Sequence, residues 1–121
     1  MAGSFSGIVA VRRGEETDLT LLQGATINFS ITIGPDYTPA DAALQARETP
    51  GDPVAYVVFN SDLGRVSVDG QVITFTMTAE DSAALPAGEF FYDMQIEDDT
   101  GATHRIYSGK FTVDPSITQV L

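Results

Sequence analysis

Two alternating runs on either side of one polar corner set what this chain can fold into. Within residues 85–113, Phe90, Tyr92, Met94 and Ile96 fall on one face of an extended segment, and Phe91, Asp93, Gln95 and Glu97 fall on the other. The corner Asp98-Asp99-Thr100-Gly101 follows, and the chain returns with Tyr107, Gly109, Phe111 and Val113 sharing a face. A period of two along both arms, with turn-forming residues between them, describes a β-hairpin. One face of that hairpin is apolar and must be covered, so a second sheet has to pack against it.

The rest of the chain supplies that second sheet. Residues 26–33 alternate most cleanly, with Ile27, Phe29, Ile31 and Ile33 inward and Thr26, Asn28, Ser30 and Thr32 outward. Residues 5–11 and 18–22 read as short strands around the polar turn Arg12-Arg13-Gly14-Glu15-Glu16, and Gly24 then marks a bulge or bend. Asp69-Gly70, between the runs 65–68 and 71–77, is the strongest short hairpin signal, with Ile73, Phe75 and Met77 inward. Residues 54–59 are nearly all apolar and read as a buried central strand.

Two short segments look helical. Residues 39–47 are rich in alanine and open with a proline, which suits the first turn of a helix. Thr78-Ala79-Glu80-Asp81 reads as one helical turn with Thr78 as its N-cap. The expected fold is therefore all-β: an antiparallel immunoglobulin-like β-sandwich of seven to eight strands, with one or two short helical excursions. It forms a single domain over residues 1–121 with short N- and C-terminal arms. The irregular stretch 37–53 serves as a crossover between sheets or carries a binding surface.

The chain of 121 residues is long enough to bury one core. It has no cysteine, which excludes disulfide staples, thiolate metal sites and a cysteine nucleophile, and which fits folding in a reducing cytoplasm. Seventeen acidic residues against six basic ones give a net charge of −11. Such a surface repels phosphate backbones and anionic lipid, so neither nucleic acid nor a membrane is expected as a partner. Strong negative charge serves solubility or docking onto a basic partner. The first ten residues lack a basic n-region and a sustained apolar core, so no signal peptide is expected.

Few residues point to chemistry. His104 is the only histidine, too little for a zinc site in a chain without thiolates. Asp98 and Asp99 are candidate calcium ligands at the hairpin corner, although their spacing matches no EF-hand loop and aspartate is ordinary in turns. No nucleophile elbow, phosphate-binding glycine loop or dinucleotide fingerprint is present, and the sequon Asn28-Phe29-Ser30 falls within a strand. The expectation is a non-enzymatic protein without cofactors or a metal. Candidate interface residues are Phe5, Tyr37, Phe91, Ile117, Val120 and Leu121. Phe91 lies on the face opposite the core, where it is either covered by residues 37–53 or exposed to a partner or a sugar.

Three segments carry a resemblance: Asp18-Leu19-Thr20-Leu21-Leu22-Gln23-Gly24, Ala87-Gly88-Glu89-Phe90-Phe91-Tyr92-Asp93, and Tyr107-Ser108-Gly109-Lys110-Phe111-Thr112-Val113. Together with the strands they border they span about half of the chain. They resemble the small immunoglobulin-like structural modules of tailed-bacteriophage virions, such as the N-terminal sandwich of baseplate upper proteins. The resemblance implies a virion structural protein, a head decoration or a neck, tail or baseplate adaptor, made in the host cytoplasm. Its partners would be capsid, tail or fibre subunits, or further copies of itself. The alternative is a carbohydrate-binding or adhesion-type sandwich that uses exposed aromatics.

Overall fold

The computed structural model describes residues 3–33 and 38–115. Of the candidate interface residues, Tyr37, Ile117, Val120 and Leu121 lie outside the described residues.

Two sheets face each other across one apolar core. The first contains β1 (Gly3–Ser6), β4 (Ile27–Thr32), β8 (Val72–Met77) and β7 (Val66–Asp69), in the order β1-β4-β8-β7. The second is ordered β2-β3-β10-β9-β5-β6, from β2 (Ile8–Arg13), β3 (Glu16–Leu22), β10 (Thr103–Asp114), β9 (Gly88–Asp98), β5 (Pro39–Arg47) and β6 (Val57–Phe59). A single short helix, α1 (Ala79–Ala83), carries the chain from one sheet to the other. The sandwich expected from the alternation is thus present, with ten strands among the described residues rather than seven or eight. All pairings are antiparallel except that of β10 with β3, which is parallel.

The alternation places the core where expected. Ile27, Phe29, Ile31 and Ile33 are buried, as are Phe90, Tyr92, Met94 and Ile96 on β9, and Phe111 and Val113 on β10. Phe5, Phe29 and Phe75 lie in register on neighbouring strands, stacked at centroid distances of 5.7 and 4.8 Å. Phe59, from the opposite sheet, meets Phe29 and Phe75 edge-on, so the aromatic contacts tie the two layers together.

Two glycines permit approaches that a side chain would block. The expected strand over residues 5–11 breaks at Gly7, where φ is +74° and an added Cβ would stand 2.5 Å from the Thr26 carbonyl oxygen. There the chain leaves the edge of the four-stranded sheet and joins the edge of the six-stranded one. At Gly109 a Cβ would meet the Thr17 carbonyl at 2.6 Å, so only glycine lets β10 come alongside β3. Asp18 completes that junction by accepting from the Lys110 backbone N–H at 3.0 Å and from Arg13 Nε at 2.9 Å. These bonds hold the Asp18 carboxyl below its ordinary range. Buried Tyr92 donates its hydroxyl to the Thr17 carbonyl, and burial pushes that phenol well above its ordinary pKa.

Two expectations need correction. Residues 39–47 are not a helix but strand β5. Pro39, Ala42, Leu44 and Ala46 are buried in alternation, with a bulge between Pro39 and Asp41 that resets the register. Alanine-rich composition is a weak preference, and β9 would otherwise carry a long unpaired edge. Residues 54–59 form only the three-residue strand β6, at the sheet's edge rather than its centre, and Val54 is exposed. Pro53 and the loop before it delay the pairing until residue 56, whose N–H bonds to the Ala46 carbonyl at 2.8 Å.

The helical turn at Thr78 forms as read, its hydroxyl accepting from the Asp81 N–H at 3.1 Å. Its anchor, Ser82, left no trace in the sequence pattern. Ser82 is fully buried, accepts from the Gly24 N–H at 3.0 Å and donates to the Ala25 carbonyl at 2.6 Å. The turn between β3 and β4 is thereby fastened to α1. Among the described residues no helix is long and apolar enough to cross a membrane.

Candidate functional site: the outer face of the six-stranded sheet

The outer face of the six-stranded sheet is two strands wider than that of the four-stranded sheet. Strand register arranges its side chains in rows. One row runs Arg47, Phe91, Lys110 across β5, β9 and β10, and the next runs Gln45, Asp93, Ser108. Arg105 lies one row further, opposite Gln95. A classic two-residue step is broken between Arg105 and Tyr107 by a bulge, which turns both Ile106 and Tyr107 toward the core.

Phe91 is 47% exposed within this surface, so the strand 39–47 pairs beside it rather than covering it. It borders a solvent-facing concavity of about 260 Å³, with Gln45, Arg47, Asp93, Arg105 and Ser108 around it and Pro50 forming part of one wall. Arg47 is held from two sides, donating to the Asp52 carbonyl at 2.9 Å and to Gln45 Oε1 at 2.6 Å. Its first bond also fixes the loop that carries Pro50. Glu16, from β3, closes the far side. Two guanidinium groups therefore share the concavity with two carboxylates, of which Glu16 also pairs with Arg13 at 3.5 Å.

Phe5 is placed differently. It is 43% exposed, yet one side of its ring is stacked on Phe29, so it anchors β1 to the core sheet. Among the exposed apolar residues that sequence reasoning missed, two lie on β2. Val9 is 50% and Val11 59% exposed, both on the outer face, and Leu22 of β3 adds to the same corner. Their signal was the alternation in Ile8-Val9-Ala10-Val11, which an all-apolar run conceals.

The corner after β9 is built around Asp98. Asp98 is only 7% exposed. Its Oδ1 accepts from Thr100 N–H at 2.9 Å, Thr100 Oγ1 at 2.6 Å and Ala102 N–H at 3.0 Å, and its Oδ2 lies 2.7 Å from His104 Nε2. Four polar partners engage its two oxygens and hold the carboxyl far below the ordinary range, the Thr100 hydroxyl contributing most. Asp99 uses its backbone N–H to bond the Thr38 carbonyl at 3.0 Å. No group of three or more His, Cys, Asp or Glu side chains is arranged to hold a metal among the described residues.

No known protein family matches the sequence. No curated protein matches it either. Among solved structures the chain is similar to CopC from Methylosinus trichosporium OB3b, with a TM-score of 0.43 and 14% identity over 77% of this chain and 80% of that one.

Proposed function

We propose that this protein is a non-enzymatic virion structural subunit that works through protein–protein contacts made at the open edge of β2. The observation that carries this reading is the difference among the four sheet edges. An exposed strand edge offers a row of backbone N–H and C=O groups for another chain to pair with, and proteins protect such edges by shortening or charging them. β6 has three residues and β1 four, while β7 has four and ends in Asp69. β2 has six, Ile8-Val9-Ala10-Val11-Arg12-Arg13, and no strand pairs with its outer edge among the described residues. Val9 and Val11 add apolar area beside that edge, and Arg12 and Arg13 give a register end-point within an otherwise acidic protein.

Strand addition of this kind joins subunits without a deep pocket, because main-chain bonds supply affinity and alternate side chains supply specificity. The resemblance of the segments at 18–24, 87–93 and 107–113 to bacteriophage modules supplies the setting. The partners would be capsid, tail or fibre subunits, or second copies of this chain.

Quantitative mass spectrometry of density-purified particles tests the setting, and a Val11→Lys variant tests the edge. A copy number on the order of hundreds per particle is expected for head decoration, and a small multiple of three or six for the neck, tail or baseplate. The variant should fold as the parent does and be missing from particles. Absence of the parent protein from particles overturns the virion reading, and normal incorporation of Val11→Lys overturns the β2 contact.

A further inference from the structure

We propose that the concavity beside Phe91 is a binding site for a neutral pyranose, the terminal or side-chain sugar of a glycan. The site is centred on β5, β9 and β10 with Glu16 of β3 at its margin, whereas the β2 edge is three strands from Phe91, about 14 Å at ordinary strand spacing. It therefore stands independently of the assembly reading.

The argument starts from Phe91. Its ring is 47% exposed on the outer sheet face, while its neighbours Phe90 and Tyr92 supply the core on the other side. Its ring offers a flat apolar surface of the size of one sugar ring. A pyranose presents apolar C–H groups on its faces and hydroxyls around its rim, so a ligand lying on Phe91 would need polar partners at the side.

Those partners converge here. Asp93 supplies acceptors, Arg105 donors, and Ser108 both. Gln45 spends its Oε1 on Arg47, which leaves its Nε2 as a donor. Arg105 makes no ion pair among the described residues. The mixture of donors and acceptors suits hydroxyls, each of which gives and takes a hydrogen bond. A wholly apolar ligand would desolvate a carboxylate and a guanidinium without replacing their water.

Charge decides between neutral and anionic sugars. Asp93 and Glu16 stand with Arg47 and Arg105 around the same concavity, Glu16 also pairs with Arg13, which Asp18 neutralises in turn, and Arg47 is already engaged by Gln45 and the Asp52 carbonyl. No net positive charge is left to attract a carboxylate or a phosphate. The volume of about 260 Å³ suits one ring with its substituents rather than a buried chain. The two bonds on Arg47 fix that wall in advance, so little side-chain ordering is required on binding.

The experiment is a ¹H–¹⁵N NMR titration of the full chain with methyl pyranosides of glucose, galactose, mannose and N-acetylglucosamine, with methyl glucuronide as the anionic comparison. Binding by at least one neutral glycoside is expected, with Kd in about the millimolar range. Shifts should cluster at residues 45, 47, 91, 93, 105 and 108. Phe91→Ala should weaken binding about tenfold or more while leaving distant resonances in place, and Phe91→Tyr should retain it. Val11→Lys should bind as the parent does, which separates this site from the β2 contact. No response to any neutral glycoside, shifts located elsewhere, or equal binding by a folded Phe91→Ala protein overturns the proposal. A response to the glucuronide alone overturns its neutral ligand.

Discussion

Phe90 and Phe91 are adjacent, chemically identical and oppositely employed. Phe90 is buried with Tyr92, Met94 and Ile96 on the inner side of β9, and Phe91 is exposed with Asp93, Gln95 and Glu97 on the outer side. The inner side is closed by apolar packing, such as the edge-on approach of Tyr92 to Phe111 on the neighbouring strand at 5.9 Å. The outer side is organised by polar bonds such as that of Arg47 to Gln45. Residue type thus says little about role here. Position on the pleat says most of it, because a one-residue step exchanges core for solvent.

The sharpest way to test this division is to remove volume from the inner side. Phe111 pairs with Phe90 across β9 and β10 and is fully buried. Phe111→Ala should destabilise the protein by about 3–5 kcal/mol, the lost transfer energy together with a cavity that a sheet cannot close. Urea unfolding would show this as a lower midpoint at an unchanged slope. A loss below about 1 kcal/mol would mean that the inner face tolerates a void and that the two faces are less distinct than their burial indicates.

The inner row of β9 ends in a charged residue, which gives the second test. Asp98 follows Ile96 on the same face, and its carboxylate is held by Thr100, Ala102 and His104. Its pKa is depressed in the folded protein, so between the folded and unfolded values the unfolded chain binds more protons. The stability it provides is complete above the ordinary carboxylate range, about pH 4, and is lost as the pH falls towards the folded value. Melting temperatures of the parent should therefore drop between about pH 5 and about pH 2, and Asp98→Asn should show a shallower drop. It should not abolish the drop, because Asp18 is depressed as well. Identical acid profiles for the two proteins would remove Asp98 from this role.

What the sequence made legible follows the same division. Strands β4, β8, β9 and β10 were readable because each has one wet and one dry side, so polar and apolar residues alternate. β5 was not, because alanine is small enough for either side of a sheet and common in helices, and its identity as a strand is imposed by β9 beside it. β2 was legible as a strand but not as an edge, since edge status depends on which distant segment pairs with which. The Phe91 site was half legible. The outward aromatic and Asp93 are explicit in the alternation, whereas Arg47, Gln45, Arg105 and Ser108 come beside them only through the pairing of three strands. Ser82 and the donors around Asp98 belong to local geometry that no periodicity encodes.

The smallest expected effect carries much of the weight. If the outer side of β9 is a binding surface and not a second core, Phe91→Ala should change unfolding free energy by no more than about 0.5 kcal/mol, the range of ordinary surface substitutions. Arg47 stands opposite Phe91 on β5 and Pro50 lines the same concavity, and neither the Arg47 bond to Asp52 nor that to Gln45 depends on the ring. A loss of about 2 kcal/mol or more would instead show that Phe91 holds the loop between β5 and β6 in place, which would make its exposure incidental to folding. Near-neutral stability together with weaker glycoside binding is the pairing that separates a residue kept for contact from one kept for packing. No substitution at Phe90, Tyr92, Met94 or Ile96 on the inner side of the same strand can give that pairing, because each of those side chains is buried in the core.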